Sequence, residues 1–163
     1  MFIYSLEPPI YKTLNWAIRD KVGSLLDRVG PFAAALGEIT SYSDKNRTDC
    51  MKEDFTVYRG FSTNQNEIDS FEYILNETKA KENEEGFDIN QCMFHYQQFA
   101  STSFNKEVTE EFALKNAWGD RIPVIMEINI KLHQGLYSGF QMNRPEYTAY
   151  PEEKEFLITD GAD

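Results

Sequence analysis

Three short stretches carry side chains that could act together on a substrate: Arg59 in "VYRGF", Ser101 in "FASTSF", and Glu153 with Glu155 in "YPEEKEFLI". Side chains alternate across a strand, so an extended "EEKEFLI" places Glu153, Glu155, Leu157 and Thr159 on one face and Lys154, Phe156 and Ile158 on the other. Extended rise separates the two glutamate α-carbons by roughly 6 to 7 Å, a spacing at which like charges in a cleft perturb each other's ionisation. An arginine offers a planar fork of donors suited to phosphate oxygens. Each feature alone has an ordinary reading. A strand arginine is more often at the surface, a Ser-Thr-Ser run is more often a turn, and a Glu-x-Glu is more often a solvated edge whose charges discourage aggregation.

The elements that must position these residues follow from periodicity. "PPIYKTLNWAIRDKVGSLL" predicts an amphipathic helix beginning at Pro8 and Pro9, with Tyr11, Leu14, Ile18, Val22 and Leu25 at helical spacing. Gly30 and Pro31 predict a break and a second helix, "PFAAALGEI", and residues 40–54 a polar loop. "FTVYRGF" alternates as a strand with Arg59 inside it. Asn64 with Glu67 three residues on is a capping signal for a third helix carrying Ile68, Phe71, Ile74 and Leu75, and residues 79–90 predict an acidic loop. "CMFHYQQFASTSF" reads as a strand ending in a polar turn, followed by a helix capped by Ser103 or Asn105 with Val108, Phe112 and Trp118 facing the core.

"IPVIMEINIKL" is the cleanest strand, with Ile122, Val124, Met126, Ile128, Ile130 and Leu132 on one face and Pro123 suggesting an edge or first-residue position. Residues 135–151 combine Gly, Asn, Pro and tyrosines and predict a long loop leading into the glutamate strand. Helices first and strands afterwards predict an α+β domain. A single domain over 1–163 is expected, with a helical lobe over 1–50 and a β-rich core over 51–163.

Composition narrows the function. The chain has 163 residues, 41% of them hydrophobic, enough to fill one core. Its net charge is −11, and because six acidic and six basic residues cancel within 1–50, all of the excess lies in 51–163. Such a surface repels phosphate backbones and anionic lipid, so neither nucleic acid nor membrane is an expected partner, whereas a basic protein is. No apolar run is long enough to span a bilayer, and a soluble protein is expected, cytoplasmic or a secreted effector. Cys50, Cys92, His95 and His133 fit no zinc pattern, so no metal is expected. One Cys50–Cys92 bridge suits an oxidising compartment and two free thiols a reducing one, the latter being favoured. No Gly-x-Gly-x-x-Gly fingerprint is present.

An aromatic-Arg-Gly strand, a Ser-Thr-Ser strand end and a Glu-x-Glu strand, in that order, resemble the Arg-Ser-Glu class of mono-ADP-ribosyltransferases, and "YKTLNWAIRD" is similar to that family's first helical segment. The resemblance implies a mixed, mainly antiparallel two-sheet core with an NAD cleft, no metal, and a monomer acting on a protein acceptor. It implies further that Arg59, Gly60, Ser101, Thr102, Ser103 and Glu155 bind NAD, with Arg59 on the phosphates and the Gly60 main chain on the nicotinamide amide. Glu155 would stabilise the oxocarbenium-like centre formed as nicotinamide leaves, with Ser101 orienting it. Glu153, two residues earlier, goes with transfer to arginine, and Tyr147 and Tyr150 would lie in the loop that meets the target. The family ordinarily has a further strand after the glutamates, and this chain stops at Asp163 soon after them. Rival readings are an NAD glycohydrolase, a non-catalytic module of the same fold, and a two-carboxylate glycosidase, the last disfavoured by glutamates on one strand.

Overall fold

The computed structural model describes residues 10–41, 51, 53–81, 84, 98–131, 139–142 and 145–158. Cys50, Cys92, His95, Leu132, His133, Thr159, the first part of "CMFHYQQFASTSF" and most of the acidic loop over 79–90 lie outside them.

Helix α1, Ile10–Arg19, buries Leu14 and Ala17 completely. It ends earlier than its apolar repeat predicts. Lys21 adopts a left-handed φ of 51°, its N–H bonds back to the Ile18 carbonyl and the Val22 N–H to the Ala17 carbonyl. That pair of bonds is a Schellman termination, which satisfies carbonyls the helix end would leave orphaned. Helix α2, Gly23–Ser41, then runs through Gly30 and Pro31, where a break was expected. The reason is packing. Val29, Phe32, Ala33 and Leu36 of α2 join Tyr11, Leu14 and Ile18 of α1 over Phe140, Met142 and Leu157 of the sheet and Phe99 just before it. Each buried apolar side chain contributes about 1.5–3 kcal/mol, so the shared face outweighs the roughly 3 kcal/mol that an interior proline costs.

Five strands form one open sheet: β1 (Phe55–Thr63), β2 (Ala100–Ser103), β3 (Ile122–Ile130), β4 (Gly139–Met142) and β5 (Glu155–Ile158), in the order β3-β1-β2-β5-β4. Every neighbouring pair is antiparallel. The architecture is therefore α+β as the element order predicts. A second sheet is not among the described residues. Pro123 does lie on an edge strand, opposite Ser62. Strand β4 falls inside the span expected to be loop; Phe140 and Met142 are buried there. Gly139 fits against Phe156, whose ring atoms a Cβ would meet at 2.4 Å.

The register separates two faces. Leu157, Phe140, Met142 and Phe99 face the α1–α2 hairpin, while Val57, Ala100, Phe156 and Ile158 pack on the other side with Phe55, Phe104, Ile128 and Ile130. Phe55 and Phe104 each meet the Phe156 ring edge-on, at 5.1 and 6.0 Å between centroids.

Helix α3, Gln65–Lys81, starts where the capping signal places it, with the Glu67 N–H bonded to Asn64 Oδ1 at 2.9 Å. It buries no residue fully, and Phe71 and Leu75 of its apolar repeat are exposed. Helix α4, Lys106–Asn116, is capped by Asn105, while the Ser103 hydroxyl accepts from the Asn105 N–H. Thr109 and Ala113 are its buried residues; Phe112 and Trp118, expected in the core, are exposed. Close approach explains the difference. A Cβ on Gly60 would stand 1.9 Å from the Thr109 carbonyl oxygen, so α4 lies directly on β1 and only small side chains fit between them. Ser62 locks the far end, donating to the Asn116 carbonyl and receiving the Arg121 guanidinium.

Two glycines provide a contrast. Gly60→Ala should destabilise the protein by about 1–3 kcal/mol because backbone, not a flexible side chain, must move. Gly30→Ala, with nothing within 4 Å of the added Cβ, should stabilise by about 0.5–1 kcal/mol as a helix-interior substitution. Urea unfolding of both variants checks the pair.

Candidate active site

Strands β1 and β2 pair at one register position, Tyr58 opposite Ser103, whereas β1 and β3 pair continuously from Phe55–Ile130 to Thr63–Ile122. A wedge therefore opens between β1 and β2 beyond Tyr58. Opposed residues share a face, so Tyr58, Ser103, Glu155 and Met142 stand in one row and Ser101, Leu157 and Phe140 in the next. This face carries the α1–α2 hairpin at one end and α4 at the other, with Ser101, Ser103 and Glu155 between the two, while Arg59 and Thr102 belong to the opposite alternation.

Glu155 is 8% exposed. It accepts a hydrogen bond from the Ser101 hydroxyl at 2.5 Å, Oγ to Oε1. Its pKa is pushed up to about 7, first by burial and then by the nearby Glu153 charge, with the Ser101 bond pulling the other way. Ser101 itself is exposed, so the carboxyl lies just beneath the surface with the hydroxyl as its lid. Arg59 belongs to the opposite alternation from Gly60, and its Nη1 donates to the Ser101 main-chain oxygen at 2.7 Å. Arg59, Ser101 and Glu155, 96 residues apart at the extremes (155 less 59), are thus joined through one serine.

The other residues of the expected set divide. Thr102 faces away: it is 4% exposed and its hydroxyl donates to the Phe156 carbonyl at 2.6 Å, clipping β2 to β5. Strand alternation, overlooked when the three hydroxyls are taken as one motif, turns it to the other side. Ser103 is on the site face but its hydroxyl donates to the Glu153 carbonyl at 2.5 Å and accepts from Asn105. The side-chain position of Gly60 is filled by α4, so what Gly60 offers a ligand is main chain alone. Tyr147, half-buried, packs edge-on against Phe140 at 5.1 Å. Tyr150 is 38% exposed and its carbonyl accepts the Glu153 N–H.

The glutamates do not lie on one strand. Pro151–Glu153 form a 3-10 turn, Lys154 follows in left-handed backbone, and β5 begins only at Glu155. The expected same-face pair is corrected accordingly. Proline pre-sets the backbone angle of a helical first residue, and the Ser103 bond holds the turn's last carbonyl, so strand pairing starts two residues late. Glu153 still lies close enough for its charge to act on Glu155.

Asn15, which periodicity marks only as a helix residue, ties α1 to the site by donating from Nδ2 to the Phe99 carbonyl at 3.0 Å, two residues before Ser101. Its polar type on the half-buried side of an amphipathic helix was the available signal. Lys106, at the start of α4, stands 5.9 Å over the Tyr58 ring. Among the described residues no group of His, Cys, Asp and Glu could hold a metal ion, and no helix is long and apolar enough to cross a membrane.

A raised carboxyl pKa has a sign. Stability from the protonated Glu155 is fully present below its unfolded value near 4.5 and is lost as pH rises through about 7. Glu155→Gln keeps an acceptor for Ser101 without the charge. It should leave stability unchanged below pH 4 and raise it above pH 8 by up to about 3 kcal/mol, read from urea midpoints across pH. No protein-family model matches this chain, and no match is found among curated proteins or solved structures.

Proposed function

We propose that the protein transfers ADP-ribose from NAD to an arginine side chain of a protein acceptor, releasing nicotinamide, on an ADP-ribosyltransferase-like fold. One observation carries the reading: the hydrogen-bonded line from Arg59 through Ser101 to a buried Glu155. Drift has no physical reason to assemble an arginine, a hydroxyl and a poorly hydrated carboxyl from three distant segments beside a strand wedge.

In this reading NAD lies along the wedge, within a two-sheet core, its phosphates on Arg59 and its nicotinamide ribose at Ser101 and Glu155. The bond between the ribose anomeric carbon and the nicotinamide nitrogen breaks, and its electron pair leaves with nicotinamide. Ionised Glu155 stabilises the positive charge left on the ribose, and burial makes that interaction worth more than it would be in water. The acceptor guanidinium nitrogen then bonds the anomeric carbon, and its proton passes to the Glu153 carboxylate. Tyr150, exposed beside Glu153, contacts the acceptor. The acidic surface favours a basic acceptor, and the protein acts as a soluble monomer without metal.

Glu155→Gln should reduce nicotinamide release by roughly two to three orders of magnitude, as for loss of one electrostatic stabiliser. Glu153→Gln should abolish labelling of an arginine-rich protein and leave nicotinamide release within about threefold of wild type. Arg59→Lys should weaken NAD binding at least tenfold, since a lysine lacks the bidentate fork. Nicotinamide release without labelling in the wild-type protein would reassign it as an NAD glycohydrolase, and no NAD turnover at all would overturn the reading. Because the active form of Glu155 is the ionised one, nicotinamide release should climb as pH rises through about 7 and level off above it. A stopped assay over pH 5–9 checks the direction.

A further inference from the structure

Lys21 and Lys154 are the two non-glycine residues with positive φ among those described. Lys21 terminates a helix. Lys154, at φ 48° and ψ 49°, separates Glu153 from Glu155.

Extended backbone at position 154 would continue β5 upstream, since Ser103 opposite Glu155 would be followed by Phe104 opposite Lys154. Both carboxylates would then share a face, about 6.6 Å apart along the strand. A left-handed residue is the mirror image of a helical one and turns the chain about 100° per residue, so side chains on either side of it diverge instead of aligning. The turn is pinned from three directions. The Lys154 N–H bonds to the Pro151 carbonyl, its carbonyl accepts the Phe104 N–H at 3.2 Å, and the preceding Glu153 carbonyl accepts the Ser103 hydroxyl. The first bond closes the turn on itself, and the other two tie its last carbonyls to Ser103 and Phe104 at the end of β2, the strand that also carries Ser101.

We propose that Lys154 is a positioning residue whose left-handed backbone turns the Glu153 side chain off the strand face of Glu155 and holds it for the second substrate, an arginine side chain. The proposal rests on the transfer reading for its substrate. Its geometric content stands independently: Lys154 acts through backbone shape and not through its ammonium. Apart from Lys154 itself, the charge that acts on Glu155 is that of Glu153 from the turn; of the neighbouring titratable groups, Arg59 of β1 meets the main chain of Ser101, Tyr58 of β1 opposes Ser103, and Lys106 at the start of α4 stands over Tyr58.

The test compares Lys154→Gly, which keeps left-handed backbone without strain, with Lys154→Val, whose branched Cβ resists it. Both remove the same charge, so their difference isolates the backbone. Two measurements are made on each: the Glu155 carboxyl titration by carbon-13 NMR, and the ratio of arginine labelling to nicotinamide release. Lys154→Gly should match wild type in both. Lys154→Val should raise the titration midpoint, as the two carboxylates align on one face, and lower the labelling ratio at least tenfold. Equal behaviour of the two variants, or a disturbed Lys154→Gly, overturns the proposal. If Lys154→Val does not fold by circular dichroism, Lys154→Ala replaces it, with the same direction expected and the same outcome fatal. A wild-type protein without NAD turnover overturns the transfer reading, while the titration arm still decides whether Lys154 sets the carboxylate geometry.

Discussion

The whole arrangement depends on keeping one ionisable carboxyl nearly out of water. Glu155 is 8% exposed, and burial is the largest influence on its proton affinity. Such a group is tolerated only with a partner, and the Ser101 hydroxyl supplies it. That bond in turn requires β2 and β5 to pair antiparallel with Ser103 opposite Glu155 and Ser101 opposite Leu157. A slip of one residue would send Glu155 to the Phe156 side of the sheet and into an aromatic cluster.

Register at this strand pair is held from both faces. Phe156 and Ile158 anchor one side, with Val57 and Ala100, and Leu157 anchors the other beneath the α1–α2 hairpin. The three hydroxyls of Ser101, Thr102 and Ser103 then take separate tasks. The first touches the carboxyl, the second clips the strands on the far face, and the third holds the turn that carries Glu153. Removing any one leaves a different partner unsatisfied, so their effects should not be interchangeable.

The helices serve the site by what they cover and how closely. The hairpin seals the β4–β5 end, and Asn15 reaches from it to the residue that leads into β2. At the other end α4 comes within backbone contact of Gly60, which makes that glycine a packing requirement. Between them the β1–β2 wedge stays open, and there Arg59 meets the Ser101 main chain.

Much of this was legible in the chain itself. Alternation identified β1 and β3, proline at 123 pointed to an edge or first-residue position, capping residues identified α3 and α4, and residue type singled out Arg59, Ser101 and Glu155. These depend on local stereochemistry, which neighbouring residues determine. Helix continuity through Pro31, the inward face of α4, the strand Gly139–Met142 and the opposite facing of Thr102 were decided elsewhere. So was the departure of Glu153 from the strand, where a bond from Ser103, fifty residues earlier, holds a turn that local alternation reads as extended. Local pattern states which conformations a segment can adopt at low cost. Contacts between distant segments select among them, because the burial and hydrogen bonds they supply exceed the small differences in intrinsic preference.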